Sequence, residues 1–427
     1  MAAYAIIGFG CAGYHALTAI RETDKDGIID IYSEHPDPPY NPMLTTYYAA
    51  GRLNGEGLFP FGDLKSIAGT YHANIFSGTR VAALDSAGRT VTLEDGTRKS
   101  YDKILLATGA RSFTPPVPNE CPDAVISMRT LDDARDLHQI LEERKLRRAV
   151  VIGASMAGIK VVEVLHNNGI HTVLADMAPH IFPLAAYPET AERIEEHLEK
   201  AGVKLKFKSG LSAIRRGTDM AACVEFSDGS TVSADLVALC IGTRAATELA
   251  AQAGIQVNRG IVVNPAMETS APGIYAAGDC CEGRDLQSGQ NLIIGLWANA
   301  AYQGHTAGAN MAGCPSAFQG NILHNITHFF DLDFIGFGDN RITGETVTFE
   351  NKAKGLWVQG VLKDGRLAGI NILGSYRVSG ILKNHILGVI QNGAHTISDM
   401  QRGVLLKEGL SEEFLRLLEG GTYVDKR

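Results

Sequence analysis

Apolar residues fall along this chain in short unbroken runs, each followed by a longer segment in which they recur every three or four positions. The first run, Ala5-Ile6-Ile7, meets Gly8-Phe9-Gly10-Cys11-Ala12-Gly13 and passes straight into an apolar-periodic segment. That order predicts a strand, a tight glycine turn and a helix. Ile28 to Tyr32 predicts a second strand, closed by Ser33-Glu34. Residues 35–51 (HPDPPYNPMLTTYYAAG) are too rich in proline for a regular element. Residues 75–97 alternate like short strands with turns at Ser86-Ala87-Gly88 and Asp95-Gly96, and residues 101–110 read as a buried strand closed by small residues. The chain then leaves its first domain through Pro115-Pro116-Val117-Pro118.

The same plan recurs from Arg148. Ala149-Val150-Val151-Ile152 is a strand, Gly153-Ala154-Ser155-Met156-Ala157-Gly158 the turn and 159–168 a helix ended by Gly169. Residues 171–176 form another strand closed by a carboxylate, Asp176. Residues 203–232 read as a hairpin, 236–241 as a strand closing at Gly242-Thr243, and 273–279 as a strand running into a Gly278-Asp279 turn before a helix at 295–311. The last hundred residues change character. Antiparallel strands are expected at 346–349, 356–362 and 367–373, with a turn at Asp364-Gly365. Helices follow at 379–391, 397–405 and 411–418, before a Gly-Gly tail.

The glycine turns carry the chemistry. In G-x-G-x-x-G the first glycine makes the turn, the second lets a pyrophosphate approach the backbone, and the third lets helix and strand pack closely. The helix N-terminus then offers bare N–H groups to phosphate. Gly8, Gly10 and Gly13 fill these places in the first unit, and Gly153, Ser155 and Gly158 in the second, where serine is small enough for the middle position. Glu34 and Asp176, each closing the next strand, stand where ribose hydroxyls are bound. Two dinucleotides are implied, one per unit. Met177-Ala178-Pro179-His180 after Asp176 holds no Arg or Lys for a 2′-phosphate, which favours NAD(H) over NADP(H).

At 427 residues the chain is too long for one core and fits two or three domains. Apolar content of 45%, charged content of 20% and a net charge of −8 suit a soluble enzyme and argue against nucleic-acid binding. The apolar start lacks a basic stretch and no run is long enough for a membrane span, so the expected location is cytoplasmic. Seven cysteines without regular spacing read as reduced thiols.

Taken together, GFGCAG with Glu34, ATGA at Ala107 to Ala110, GASMAG with Asp176, and GIYAAGD at Gly273 to Asp279 resemble the flavoprotein family of pyridine nucleotide-disulfide oxidoreductases. The resemblance covers nearly the whole chain. It implies an α/β fold with two Rossmann-like dinucleotide-binding domains, as in glutathione reductase, plus a C-terminal α+β domain. The FAD-binding domain would comprise 1–112 and 244–317, the NAD-binding domain 113–243, and the interface domain 318–427. It further implies that Gly8, Gly10, Cys11, Ala12, Gly13, Glu34, Pro42, Val81, Thr108, Gly109, Arg111, Gly278, Asp279 and Trp297 bind FAD. Gly153, Ser155, Met156, Gly158, Asp176 and Gly242 would bind NAD.

Family members differ in where electrons go after the flavin. Disulfide-reducing members carry C-x-x-x-x-C after the acidic strand, and single-cysteine members one cysteine there, whereas Asn41-Pro42-Met43-Leu44-Thr45-Thr46 holds none. The segment is similar to that of rubredoxin, ferredoxin and nitrite reductase flavoproteins, which pass single electrons to an iron centre. The resemblance therefore implies an FAD-dependent NADH:acceptor oxidoreductase that exchanges hydride with NAD(H) and electrons with an iron–sulfur protein or subunit. Flux could run either way. The chain would act as a homodimer or as the FAD subunit of a hetero-oligomeric complex, like those of phenylglyoxylate dehydrogenase or tungsten aldehyde oxidoreductase. An oxygen-using NADH oxidase and an NADH-sensing flavoprotein module are the alternatives.

Two departures touch the reaction centre. Thr46 stands where relatives place a lysine and Lys160 where they place a glutamate, so Lys160 is expected to supply the positive charge near the flavin. Cys280 and Cys281 follow Asp279, where their thiols are either redox-active or plain buried groups. His324 and His328 would share a face of a helix, without the glutamate of H-E-x-x-H.

Overall fold

The computed structural model describes residues 1–420, so the tail beyond Gly420 lies outside the described residues. The chain forms two compact units. One comprises Met1–Phe113, Arg129–Ala134 and Thr243–Asn321; the other comprises Thr114–Met128, Arg135–Gly242 and the chain from Ile322 onward.

The first unit is built on a five-stranded parallel sheet in the order Ile274–Ala276, Lys103–Leu106, Ala3–Ile7, Ile28–Tyr32, Asn74–Phe76. Its strands are apolar runs because both faces are covered. The Cys11–Thr23 helix buries Ala12, Ala16, Leu17, Ala19 and Ile20. The Trp297–Met311 helix crosses it closely. A side chain on Gly304 or Gly308 would strike the backbone of Ala12 or Ala16, so these glycines set how near the two helices come.

Residues 35–51 contain more regular structure than their prolines suggest. Asn41 accepts a hydrogen bond from the Met43 N–H, and with Pro42 in the first position this starts a Pro42–Leu44 turn of 3-10 helix that runs into a Thr45–Ala49 helix.

The second unit repeats the plan with Lys204–Lys206, His171–Ala175, Arg148–Ile152, Leu236–Leu239 and Val125–Ser127, again all parallel. The expected hairpin over 203–232 is instead one strand of this sheet plus a separate three-stranded antiparallel sheet, Leu211–Arg216, Ala222–Phe226 and Thr231–Ala234. The same unit holds a five-stranded antiparallel sheet in the order His324–Phe329, Leu332–Gly338, Arg366–Leu373, Leu356–Lys363, Glu345–Asn351, followed by helices Ser379–Asn392, Asp399–Glu408 and Glu412–Leu418. His324 and His328 therefore lie on a strand and not on a helix. Phe330 and Asp331 adopt positive φ (45° and 60°) in the two-residue turn that pairs this strand with the next. Among the described residues no helix is long and apolar enough to cross a membrane.

Candidate functional site

The first glycine turn is fixed from three sides. The Gly8 N–H donates to Tyr32 O (2.8 Å), and φ of +98° with the Ala107 carbonyl against its α-carbon leaves no room for a side chain. Gly13 packs against the Gly8 carbonyl in the same way. Gly10 differs, because nothing lies within 4 Å of where its Cβ would stand. Gly10 is also the N-cap of the Cys11–Thr23 helix and offers no side-chain acceptor, and the first turn carries no acidic residue. The result is a bare helix N-terminus facing open space, which suits a diphosphate.

Around this opening the unit gathers polar groups from distant parts of the chain. Asp279 pairs with Arg129 at 2.7 Å, both side chains being largely buried, and the Arg129 Nε donates to Ala110 O (3.4 Å). The Gly278 N–H donates to Gln303 Oε1 (2.9 Å), with φ of +87° at Gly278, and a Cβ there would press on Ala12. The Cys11 thiol donates to Trp297 O (3.3 Å); burial, and secondarily Asp279, push it up to about 12, so it stays protonated. The Thr108 hydroxyl donates to Ala246 O (2.6 Å), and the Gly109 carbonyl accepts from the Ala246 N–H (2.9 Å). Arg111 pairs in register with Arg244 on a two-stranded ribbon and reaches Glu34 at 3.3 Å, with Arg80 at 3.9 Å on the other side of that carboxylate. Pro42 opens the short 3-10 turn and Val81 opens the Val81–Asp85 strand. The indole N–H of Trp297 and the hydroxyl of Thr46 are buried without a hydrogen-bond partner among the described residues. Two orphaned donors, an open Gly10 and a bare helix end are the features a large planar dinucleotide would complete.

Arg129, Gln303 and Tyr40 escaped the sequence reading. Arg129 precedes Thr130-Leu131-Asp132-Asp133, an N-cap signature: Asp133 accepts from the Arg129 and Thr130 N–H groups (both 2.7 Å) and gives its own N–H to Thr130 Oγ1 (3.1 Å). That signal would have located the Leu131–Glu143 helix and the arginine fixed at its start. The Tyr40 hydroxyl accepts from the Leu131 N–H (3.1 Å), tying the proline-rich segment to the same turn.

In the second unit the Gly153 N–H donates to Ala175 O (2.7 Å), Gly153 has φ of +108° and meets the Cys240 carbonyl, and Gly158 packs on the Gly153 carbonyl. Ser155 caps the Met156–Asn167 helix: its Oγ accepts from the Gly158 N–H (3.2 Å) and donates to Cys240 O (2.9 Å). Asp176 accepts from the N–H groups of Ala154 (2.7 Å) and Ala178 (2.8 Å). Gly242, at φ +100°, faces open space. The Lys160 ammonium is met by the Glu163 carboxylate and donates to His328 O (2.8 Å), while Glu163 also accepts from the Phe330 N–H (3.3 Å). The charge of Lys160 is thus balanced inside its own unit, at the base of the hairpin that begins with His324. The His328 ring faces Asp333 at 2.8 Å, and burial, then Lys383, lower His324 to about 4. Cys280 and Cys281 are fully buried, with thiols donating to the backbone carbonyls of Leu106, Ala277 and Gly278.

Residues 2–304 match the family model described as pyridine nucleotide-disulphide oxidoreductase. The chain belongs to that family. It is an oxidoreductase of a family that binds FAD and NAD(P)H. An NADH oxidase of Methanocaldococcus jannaschii is 30% identical over 338 residues, covering 78% of this chain and 75% of that protein. The epsilon subunit of NADH-dependent phenylglyoxylate dehydrogenase from Aromatoleum evansii is 29% identical over 398 residues, 90% of this chain and 91% of that one. The crystal structure of a ferredoxin reductase from Rhodopseudomonas palustris superposes with a TM-score of 0.84 at 25% identity, covering 95% of this chain and 100% of that one.

Proposed function

We propose that this family member takes electrons from NADH and delivers them singly to an iron–sulfur protein or subunit, as the flavin-bearing chain of a larger redox assembly. The observation that carries the reading is the Thr45–Ala49 helix, Thr-Thr-Tyr-Tyr-Ala, which brings no thiol to the first unit where disulfide-reducing relatives hold theirs. Cys11, Cys280 and Cys281 do not replace it, since all are buried and hydrogen-bonded to carbonyl oxygens. FAD, when bound, supplies the exchange between two-electron and one-electron chemistry. The chain's part is to hold it: the bare helix end at Gly10 takes the diphosphate, Glu34 the ribose hydroxyls, and Asp279 with Arg129 and the Trp297 N–H the remainder. Ser155, Gly158 and Asp176 position NAD(H), and Asp176 with no basic residue at 177–180 favours it over NADP(H). The near-full-length similarity to a phenylglyoxylate dehydrogenase subunit supports the assembly role.

A second reading, direct reduction of oxygen, is favoured by the similarity to an NADH oxidase. Stopped-flow separates the two. The FAD-loaded chain is reduced with NADH without oxygen, then mixed with oxidised rubredoxin, with air-saturated buffer or with a low-molecular-weight disulfide. Reoxidation by rubredoxin at least tenfold faster than by oxygen, and none by disulfide, is the expected outcome. Fast reoxidation by oxygen alone would replace this reading with the oxidase.

A further inference from the structure

Residues 181–187, Ile-Phe-Pro-Leu-Ala-Ala-Tyr, lie between the strand closed by Asp176 and the Pro188–Lys200 helix of the second unit, and they include one strained residue. Phe182 has φ of +50°, a conformation that is costly without glycine and persists only where the surroundings impose it. Its ring is fully buried against Phe329 and Phe334 of the antiparallel sheet, with centroids 5.6 Å and 5.0 Å away. Its carbonyl accepts from the N–H groups of Ala185 and Ala186 (both 2.8 Å). Its own N–H donates to Ala154 O (2.9 Å), inside the second glycine turn.

The rest of the segment is tied to the same antiparallel sheet by side-chain amides. Asn371, fully buried on the Arg366–Leu373 strand, accepts from the Tyr187 N–H (2.7 Å) and donates to Ala185 O (3.0 Å). Asn340, just past the Leu332–Gly338 strand, donates to Pro183 O (3.1 Å) and Ala186 O (2.9 Å). Gly369 makes room for the Tyr187 hydroxyl, which would lie 2.0 Å from a Cβ there. Leucines in place of the asparagines would bury the segment as well. Amides also fix its position, because a buried backbone group that slips off its partner is left unpaired at high cost.

The consequence falls on the peptide between Ala154 and Ser155. In a planar trans peptide the C=O and the following N–H point opposite ways, so the bond from Phe182 to Ala154 O turns the Ser155 N–H away from the segment, at the start of the Met156–Asn167 helix. Asp176 holds the Ala154 N–H (2.7 Å), so the peptides on both sides of Ala154 have fixed planes. We infer that Asn371 and Asn340 are positioning residues for the nicotinamide nucleotide: through residues 181–187 they set the direction in which the second turn presents its N–H groups. The inference rests on the proposed assignment of NAD(H) to that turn.

Calorimetric titration of the FAD-loaded chain with NAD+, beside thermal unfolding, tests it. Asn371→Leu should raise the dissociation constant about tenfold and Asn340→Leu about threefold, with FAD content unchanged. Asn340 is only partly buried, so its variant keeps the test open should Asn371→Leu not fold. Thr190→Val is the control. Thr190 ties the same sheet to the Pro188–Lys200 helix, accepting from the Trp357 N–H (3.2 Å) and donating to Gln359 Oε1 (2.6 Å), but lies beyond the segment. Its variant should lower the melting temperature as much as Asn371→Leu and leave NAD+ affinity within about twofold of wild type. Unchanged affinity in both asparagine variants, or an equal loss in Thr190→Val, would reduce the asparagines to structural ties and overturn the inference alone. A wild-type chain that binds no NAD+ would overturn the nucleotide assignment and the inference with it.

Discussion

The two glycine turns of this chain are nearly the same object with one difference. In each, the first glycine donates its N–H to the end of the neighbouring strand, holds positive φ and lies against a carbonyl, and the last glycine packs on the first. The middle position separates them. Gly10 leaves the Cys11–Thr23 helix uncapped by any side chain, whereas Ser155 caps the Met156–Asn167 helix and Asp176 occupies the Ala154 N–H. The first turn therefore keeps its donors for a ligand and pays in an unsatisfied helix end. The second satisfies its own donors and must release them to a ligand, at about 1 kcal/mol for each hydrogen bond exchanged. On the proposed assignment of FAD to the first turn and NAD(H) to the second, this difference is what would separate a resident cofactor from a nucleotide that leaves in every turnover.

The largest test separates packing from binding within the first turn. Gly8→Ala drives a methyl group into the Ala107 carbonyl at a φ that alanine avoids, so it should cost 3 kcal/mol or more on the ~3 kcal/mol scale of strained backbone and overpacked cores. Gly10→Ala meets open space at ordinary dihedrals, φ −91° and ψ −158°, so the apoprotein should lose no more than the about 1 kcal/mol of a weakened N-cap while FAD content falls sharply. Urea unfolding of the apo chains and flavin absorbance of the purified proteins read both quantities. A Gly10→Ala protein that keeps its full flavin would mean that the open side of the turn does not face the cofactor.

A further contrast lies one strand away. Asp30 and Val173 occupy matching places beside the central strands, paired with Ala5 and Val150. Asp30 is fully buried and accepts from Tyr101 (2.8 Å) and Asn74 (2.8 Å) besides its ion pair with Lys99. Burial pushes its carboxyl up, but the bonds from Lys99, Asn74 and Tyr101 outweigh it and hold the carboxyl below the usual range. A carboxyl lowered by folding stabilises the fold above its unfolded value, near pH 4, and that contribution is lost as the pH falls through the lower folded value. Lys99 is half exposed, which discounts the ion pair, so Asp30→Asn should cost about 2 kcal/mol at pH 7 and progressively less below about pH 4. Val173→Ala would show no such pH dependence. A gap between wild type and Asp30→Asn that stays constant down to pH 2 would show that the network is not held by an ionised carboxylate.

Much of this was legible because the two parallel sheets are written in apolar runs and the turns in glycine. Both turns, the strands that flank them and the strands from Glu345 to Leu373 follow from residues close together in sequence, whereas the strand order rests on pairings such as Lys103–Leu106 with Ile274–Ala276. What stayed hidden depends on long-range partners. Arg129 reaches Asp279 across 150 positions, Lys160 is neutralised by a carboxylate one helical turn away and by a carbonyl from a distant hairpin, and Gln303 holds the Gly278 N–H from another helix. The spacing of four between His324 and His328 fits one face of a helix and one face of a strand alike, and the chain around them reads Ile-Leu-His-Asn-Ile-Thr-His-Phe-Phe, whose β-branched and aromatic residues favour a strand.

The smallest effect bears most directly on the difference between the turns. Ser155→Gly removes the hydroxyl that occupies the Gly158 N–H but keeps a residue tolerated at an N-cap, so the helix should lose only a few tenths of a kcal/mol. If the serine acts as a shutter over the turn, freeing that N–H returns about 1 kcal/mol to the nucleotide, and the dissociation constant for NAD+ should fall about fivefold. Ser155→Ala frees the same N–H but loses about 1 kcal/mol of helix stability, so it separates binding from folding. FAD content should be unchanged in both, because the first turn is untouched. Calorimetric titration with NAD+ decides the point: weaker binding by Ser155→Gly would make the serine hydroxyl a ligand of the nucleotide, and both turns would then present their donors in the same way.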